Sequence, residues 1–124
     1  MKLSLFLAIK AVISLFFGVL LAIIPAQLMA IYGSTLDPSG VLMARLVGAL
    51  LIGIGLICWL SRNKPEDSLQ DIVLSLFVAD TLGFIVVLMG QLAGLMGPLG
   101  WIIVLIWLLL AIGLGYFRFI KSSG

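Results

Sequence analysis

The chain has 124 residues, of which 64% are hydrophobic and 10% charged, with a mean hydropathy of +1.38; a soluble domain carries about 25% charged residues. Seven basic and five acidic residues leave a net charge of +2, far too little for a nucleic-acid-binding face. Composition therefore excludes a soluble enzyme and a disordered chain, and predicts a single integral membrane domain over residues 1–124.

The absence of histidine excludes imidazole-ligated haem or zinc, a Ser-His-Asp triad and a His proton relay. The single cysteine, Cys58, excludes an internal disulfide or a CxxC redox pair. It stands in an apolar run, Leu56-Ile57-Cys58-Trp59, and reads as a small buried hydrophobe. Neither a catalytic residue, a metal ligand nor a cofactor is predicted.

About 20 apolar residues cross the hydrocarbon layer as a helix, and four segments qualify. The first covers residues 3–24 and meets Pro25. It resembles a secretory leader in having Lys2 before an apolar run, but Lys10 interrupts that run. No small-x-small site follows either, since Leu28-Met29-Ala30 carries a bulky residue, so the span is expected to be retained. Pro25 to Gly33 reads as a two-turn helix with proline at its start and glycine as its stop. Its Leu28, Met29, Ile31 and Tyr32 suit the membrane interface.

The second span covers residues 38–61 and opens on Asp37-Pro38, an N-cap followed by proline at the first helical position. A charged turn follows, Arg62-Asn63-Lys64-Pro65-Glu66-Asp67. The third span, residues 68–90, begins with Ser68 and Asp71 at capping-box spacing. The fourth covers residues 98–120 and opens at Gly97-Pro98. Period-two alternation is absent, which disfavours a barrel. The predicted fold is all-α: an integral membrane four-transmembrane-helix bundle with a short outer interfacial helix after the first span. Gln27–Gly33 faintly echoes Gln91–Gly97, as a two-plus-two duplication would.

Lys2, Arg62, Lys64, Arg118 and Lys121 fall on one side of such a chain, and the first and third loops carry no basic residue. The positive-inside rule then places both termini in the cytoplasm.

Polar residues inside the spans are the candidate site. Lys10, Ser14, Gly18 and Ala22 recur every four residues, a mostly small stripe suited to close helix contact. Asp80 shares a stripe with Leu76, Gly83, Val87 and Gly90. The second span offers Arg45, Gly48 or Ala49, Ile52, Gly55 and Trp59 on one face, with Ala49 and Gly53 along its neighbour, and the fourth offers Ala111 and Gly115. The expected packing residues are Ser14, Gly18, Ala22, Gly48, Gly53 and Gly83. An isolated charge near the bilayer centre costs at least about 2.5–3.5 kcal/mol. At about 1.5 Å per residue, Lys10 and Asp80 reach overlapping depths from one side. They are expected to pair, unless Lys10 snorkels to the interface or Asp80 is protonated. A pair of this kind fixes helix register, whereas a protonatable Asp80 suits an ion or substrate path. Arg45 enters from the other side, as an interfacial anchor, a partner for Asp37 or Asp80, or a site for an anionic lipid headgroup.

The segment Pro25-Ala26-Gln27-Leu28-Met29-Ala30-Ile31-Tyr32-Gly33, the Ala44-Arg45-Leu46-Val47-Gly48 start of the second span and the charged turn together resemble small bacterial four-helix membrane proteins grouped as a domain of unknown function. The resemblance spans nearly the whole chain and rests on Pro25, Gly33, Arg45 and Gly48. It implies the four-span fold, a bacterial cytoplasmic membrane and no particular activity. Small multidrug transporters are similar in length and span count but carry a Glu in the first helix, where this chain has Lys10. Membrane anchors of respiratory complexes also form small bundles, and the haem-ligating kind needs histidine. The expected function is a non-enzymatic accessory or scaffold subunit that contacts membrane lipid and packs against itself or other membrane subunits. The alternative is a small proton- or cation-coupled transporter or channel that uses Asp80 as an oligomer.

Overall fold

The computed structural model describes residues 2–120. Lys121, counted above among the basic residues, lies outside them. The described chain is all-α, with no strand. Its elements are α1 (Leu3–Ile23), α2 (Pro25–Ile31), α3 (Pro38–Ser61), α4 (Glu66–Leu92), α5 (Gly100–Gly115) and a π-helical turn (Tyr116–Ile120). Four helical stretches, Leu3–Ile23, Pro38–Ser61, Glu66–Leu92 and Gly100–Ile120, are long and apolar enough to cross a membrane. The chain divides into two compact units, Met1–Asn63 and Lys64–Gly124.

In the first unit, α1 stops where Pro25 withdraws an amide donor and drives the preceding residue out of the helical region. Ile24 accordingly sits at φ −128°, ψ 57°. Pro25 then serves as the first residue of α2, the short helix expected here. That helix ends on Gly33 at φ +82°. Its amide bonds to Ala30 O at 3.0 Å, and the Ser34 amide bonds to Met29 O at 3.0 Å. This Schellman closure needs a left-handed residue, which glycine supplies without a Cβ clash. The chain then enters α3 through Asp37, whose Oδ1 accepts the Gly40 amide at 2.6 Å, as the Asp-Pro start predicts.

α1 and α3 pack antiparallel, because contacts rise along one as they fall along the other. Gly48 meets Gly18 and Ala22, whereas Gly55 meets Leu15 and Ala11. Leu3, Leu7 and Ala11 of α1 and Cys58 of α3 are buried, and Cys58 is a packed small apolar residue rather than an exposed thiol.

In the second unit, α4 begins two residues earlier than the capping-box reading, with Pro65 as its N-cap residue. Ser68 lies inside the first turn, and its hydroxyl donates back to Pro65 O at 2.7 Å. The acids Glu66 and Asp67 of that turn oppose the positive end of the helix dipole, which is enough to start a helix without a hydroxyl cap. α4 closes as α2 does: Gly94 stands at φ +79°, and the Leu95 amide bonds to Gly90 O at 3.0 Å. The echo between the halves is therefore offset, since Gly33 aligns in sequence with Gly97 while its conformational counterpart is Gly94. α5 starts at Gly100 after a tight turn and runs antiparallel to α4, Gly83 meeting Trp107 and Phe77 meeting Gly115. Phe77 also packs edge-to-face on Phe119, ring centroids 5.4 Å apart.

Candidate functional site

The polar residues of the first unit separate by face. Lys10 is 2% exposed and Ser14 4%, on the same stripe of α1 as Gly18 and Ala22. Repetition every four residues keeps all four on one side of a helix turning 3.6 residues at a time. Gly18 and Gly48 put two backbones in contact. A Cβ at Gly48 would stand 2.6 Å from Gly18 O and 2.6 Å from Ala22 N, and one at Gly18 would stand 2.9 Å from Gly48 O. Between helices in lipid there is no hydrophobic driving force, and close approach of this kind supplies the van der Waals contact that takes its place.

The packing face of α3 is narrower than its sequence suggests. Gly48 and Gly55 are buried and Ile52 is half-buried, but Arg45, Ala49, Gly53 and Trp59 are exposed. Gly53 in particular meets nothing: no atom lies within 4 Å of where its Cβ would be. Small size alone does not identify a packing residue. Gly53 lies five residues beyond Gly48, well over a quarter turn away from the α1-facing line.

Arg45 does not fold back on Asp37, whose carboxylate caps α3 through the Gly40 amide. At the other end of this unit, Arg62 is held in place. Its guanidinium lies 3.7 Å above the Trp59 ring, and its Nη1 donates to Trp59 O, closing the C-terminal end of α3 with a cation.

In the second unit, Asp80 is 3% exposed. It lies fourteen residues into α4, at about 21 Å along a helix of 1.5 Å rise. It shares its stripe with buried Leu76 and with half-buried Gly83, Val87 and Gly90. Neither Lys10 nor Asp80 is without an interaction. Gly83 is a notch for the six-membered ring of Trp107, which presses so close that a Cβ there would overlap it. Gly115 takes the edge of Phe77 in the same way, with a Cβ position 2.9 Å from the ring.

Two features of this unit escape a reading by periodicity. One is the pairing of glycine with an aromatic ring on the other helix, a matter of complementary size that no spacing reports. The other is Gln91, a buried residue whose Nε2 donates to Gly97 O at 3.2 Å and whose amide oxygen lies against Gly100. Gln27, its counterpart in the echo, is exposed. Among the described residues no three His, Cys, Asp or Glu side chains group as a metal site would need.

A family model described as Domain of unknown function (DUF8292) matches residues 1–119. No curated protein and no solved structure matches the chain.

Proposed function

The chain belongs to the family Domain of unknown function (DUF8292), and on that premise we propose that it is a non-enzymatic accessory or scaffold subunit of a bacterial cytoplasmic membrane, with both termini in the cytoplasm. The observation that carries this reading is the division of small residues on α3. Gly48 and Gly55 are consumed by contact with α1, while Ala49 and Gly53 stay exposed. A small-xxx-small step left open on a membrane span suits the backbone of another helix, from a second copy or a different subunit. The cytoplasmic assignment of the termini follows from the basic residues at the helix ends.

Native mass spectrometry of gently extracted protein tests the reading. The wild-type chain should leave the membrane as a homo-oligomer or within a larger assembly, and Gly53→Leu should release it as a monomer that still carries its α1–α3 contact. A wild-type protein that emerges as a monomer overturns the scaffold role.

A proton- or cation-coupled transporter or channel is the second reading, favoured by Asp80, an acid buried midway along a membrane span. In liposomes, Asp80→Asn should abolish pH-driven flux on this reading. Full flux in a normally assembled Asp80→Asn protein removes Asp80 from any such path.

A further inference from the structure

The first unit holds four basic side chains, Lys2, Lys10, Arg45 and Arg62, and one acid, Asp37. Each of these but one is accounted for by its surroundings. Asp37 accepts the Gly40 amide, Arg62 is locked on Trp59, Lys10 is buried with an interaction of its own, and Lys2 is exposed at the N-cap position of α1, before the first span begins. Arg45 is the exception. It lies inside the span, on the exposed side of α3, and no described residue gives it a hydrogen bond or an ion pair.

Two facts define what can sit against it. Arg45 comes seven residues after Pro38, so its Cα lies about 10 Å into the helix at 1.5 Å rise, from which a long side chain snorkels to headgroup level. Around it, Leu42, Met43 and Leu46 are each more than half exposed, a surface that hydrocarbon chains cover. The guanidinium meanwhile matches the geometry of a phosphate bidentately. A ligand that satisfies both must carry an anionic head and an apolar tail in one molecule.

We infer that Arg45 anchors a bound anionic phospholipid, its guanidinium holding the lipid phosphate at the α2 end of the unit while the acyl chains lie on Leu42, Met43 and Leu46. The site takes a glycerophospholipid of net negative charge over a zwitterionic one, whose own cationic group competes with Arg45 for the phosphate. It holds whether or not the chain associates through Gly53.

The test is native mass spectrometry of the full chain in detergent with equal amounts of phosphatidylglycerol and phosphatidylcholine. Wild-type protein should retain phosphatidylglycerol about tenfold over phosphatidylcholine, a ratio worth about 1.4 kcal/mol. Arg45→Gln should bring that ratio close to one, and Arg45→Lys should keep part of it, since lysine holds phosphate as a point charge. Arg62→Gln should leave it unchanged. An Arg45→Gln protein with the wild-type ratio overturns the inference. So does loss of the ratio in Arg62→Gln alone, which moves the lipid to the other end of the unit. Displacement of the lipid by millimolar inorganic phosphate also overturns it, because the bound species would then be a free anion.

Discussion

The two units solve one problem by different means. Each must hold a pair of antiparallel helices together in surroundings as apolar as their own side chains. The α1–α3 pair brings backbone onto backbone: Gly18 faces Gly48, and each would place a Cβ within 3 Å of main-chain atoms of the other helix. At its glycines the α4–α5 pair meets rings rather than main chain, Trp107 in the notch of Gly83 and Phe77 against Gly115. A backbone atom cannot step aside, whereas a ring can turn about χ1 and χ2. The first pair should be intolerant of an added methyl group, and the second should tolerate it in part.

Gly48→Ala is the sharpest way to break that difference. The added methyl has no space to enter, and overpacking costs about 1–3 kcal/mol, with the upper end expected where only main chain can move. Unfolding in mixed micelles, followed by far-UV circular dichroism, should show a loss of about 3 kcal/mol. Gly83→Ala should cost less, about 1–2 kcal/mol. It should also be rescued by Trp107→Leu, which shortens the opposing side chain. No single side-chain change on α1 should rescue Gly48→Ala in the same way. If Gly83→Ala proves the more damaging of the two, the distinction between backbone and ring contact fails. Smallest of the three is Gly94→Ala, which leaves both interfaces intact. It places a Cβ at φ +79°, a conformation that costs an L-residue about 1–2 kcal/mol, so a loss near 1 kcal/mol is expected in the same measurement.

How far the sequence reaches follows the same line. The spans, the short helix after Pro25, the Asp37 cap and the Gly33 stop are legible because each depends on local chemistry or on length. The stripe of Lys10, Ser14 and Gly18 is legible because helical periodicity alone places it on one buried face. What the sequence conceals depends on the second helix. Gly53 and Gly55 are equally small and only two residues apart, yet one packs on Leu15 and the other meets nothing. Only the rotation of α3 about its axis separates them, and the unbroken apolar run from Leu46 to Leu60 carries little hydrophobic asymmetry from which that rotation can be read. Ser68 is ambiguous in sequence for a related reason. Its hydroxyl serves a helix start equally well as a cap or as a donor within the first turn, and the acids before it decide which.

The self-sufficiency of the α1–α3 contact bears on how the protein is made. Both helices of that contact precede Lys64 in the chain, so they can pair while the second unit is still being added. A gene cut between Asn63 and Lys64 and expressed as two pieces should therefore still yield a first piece that inserts and resists proteolysis by itself.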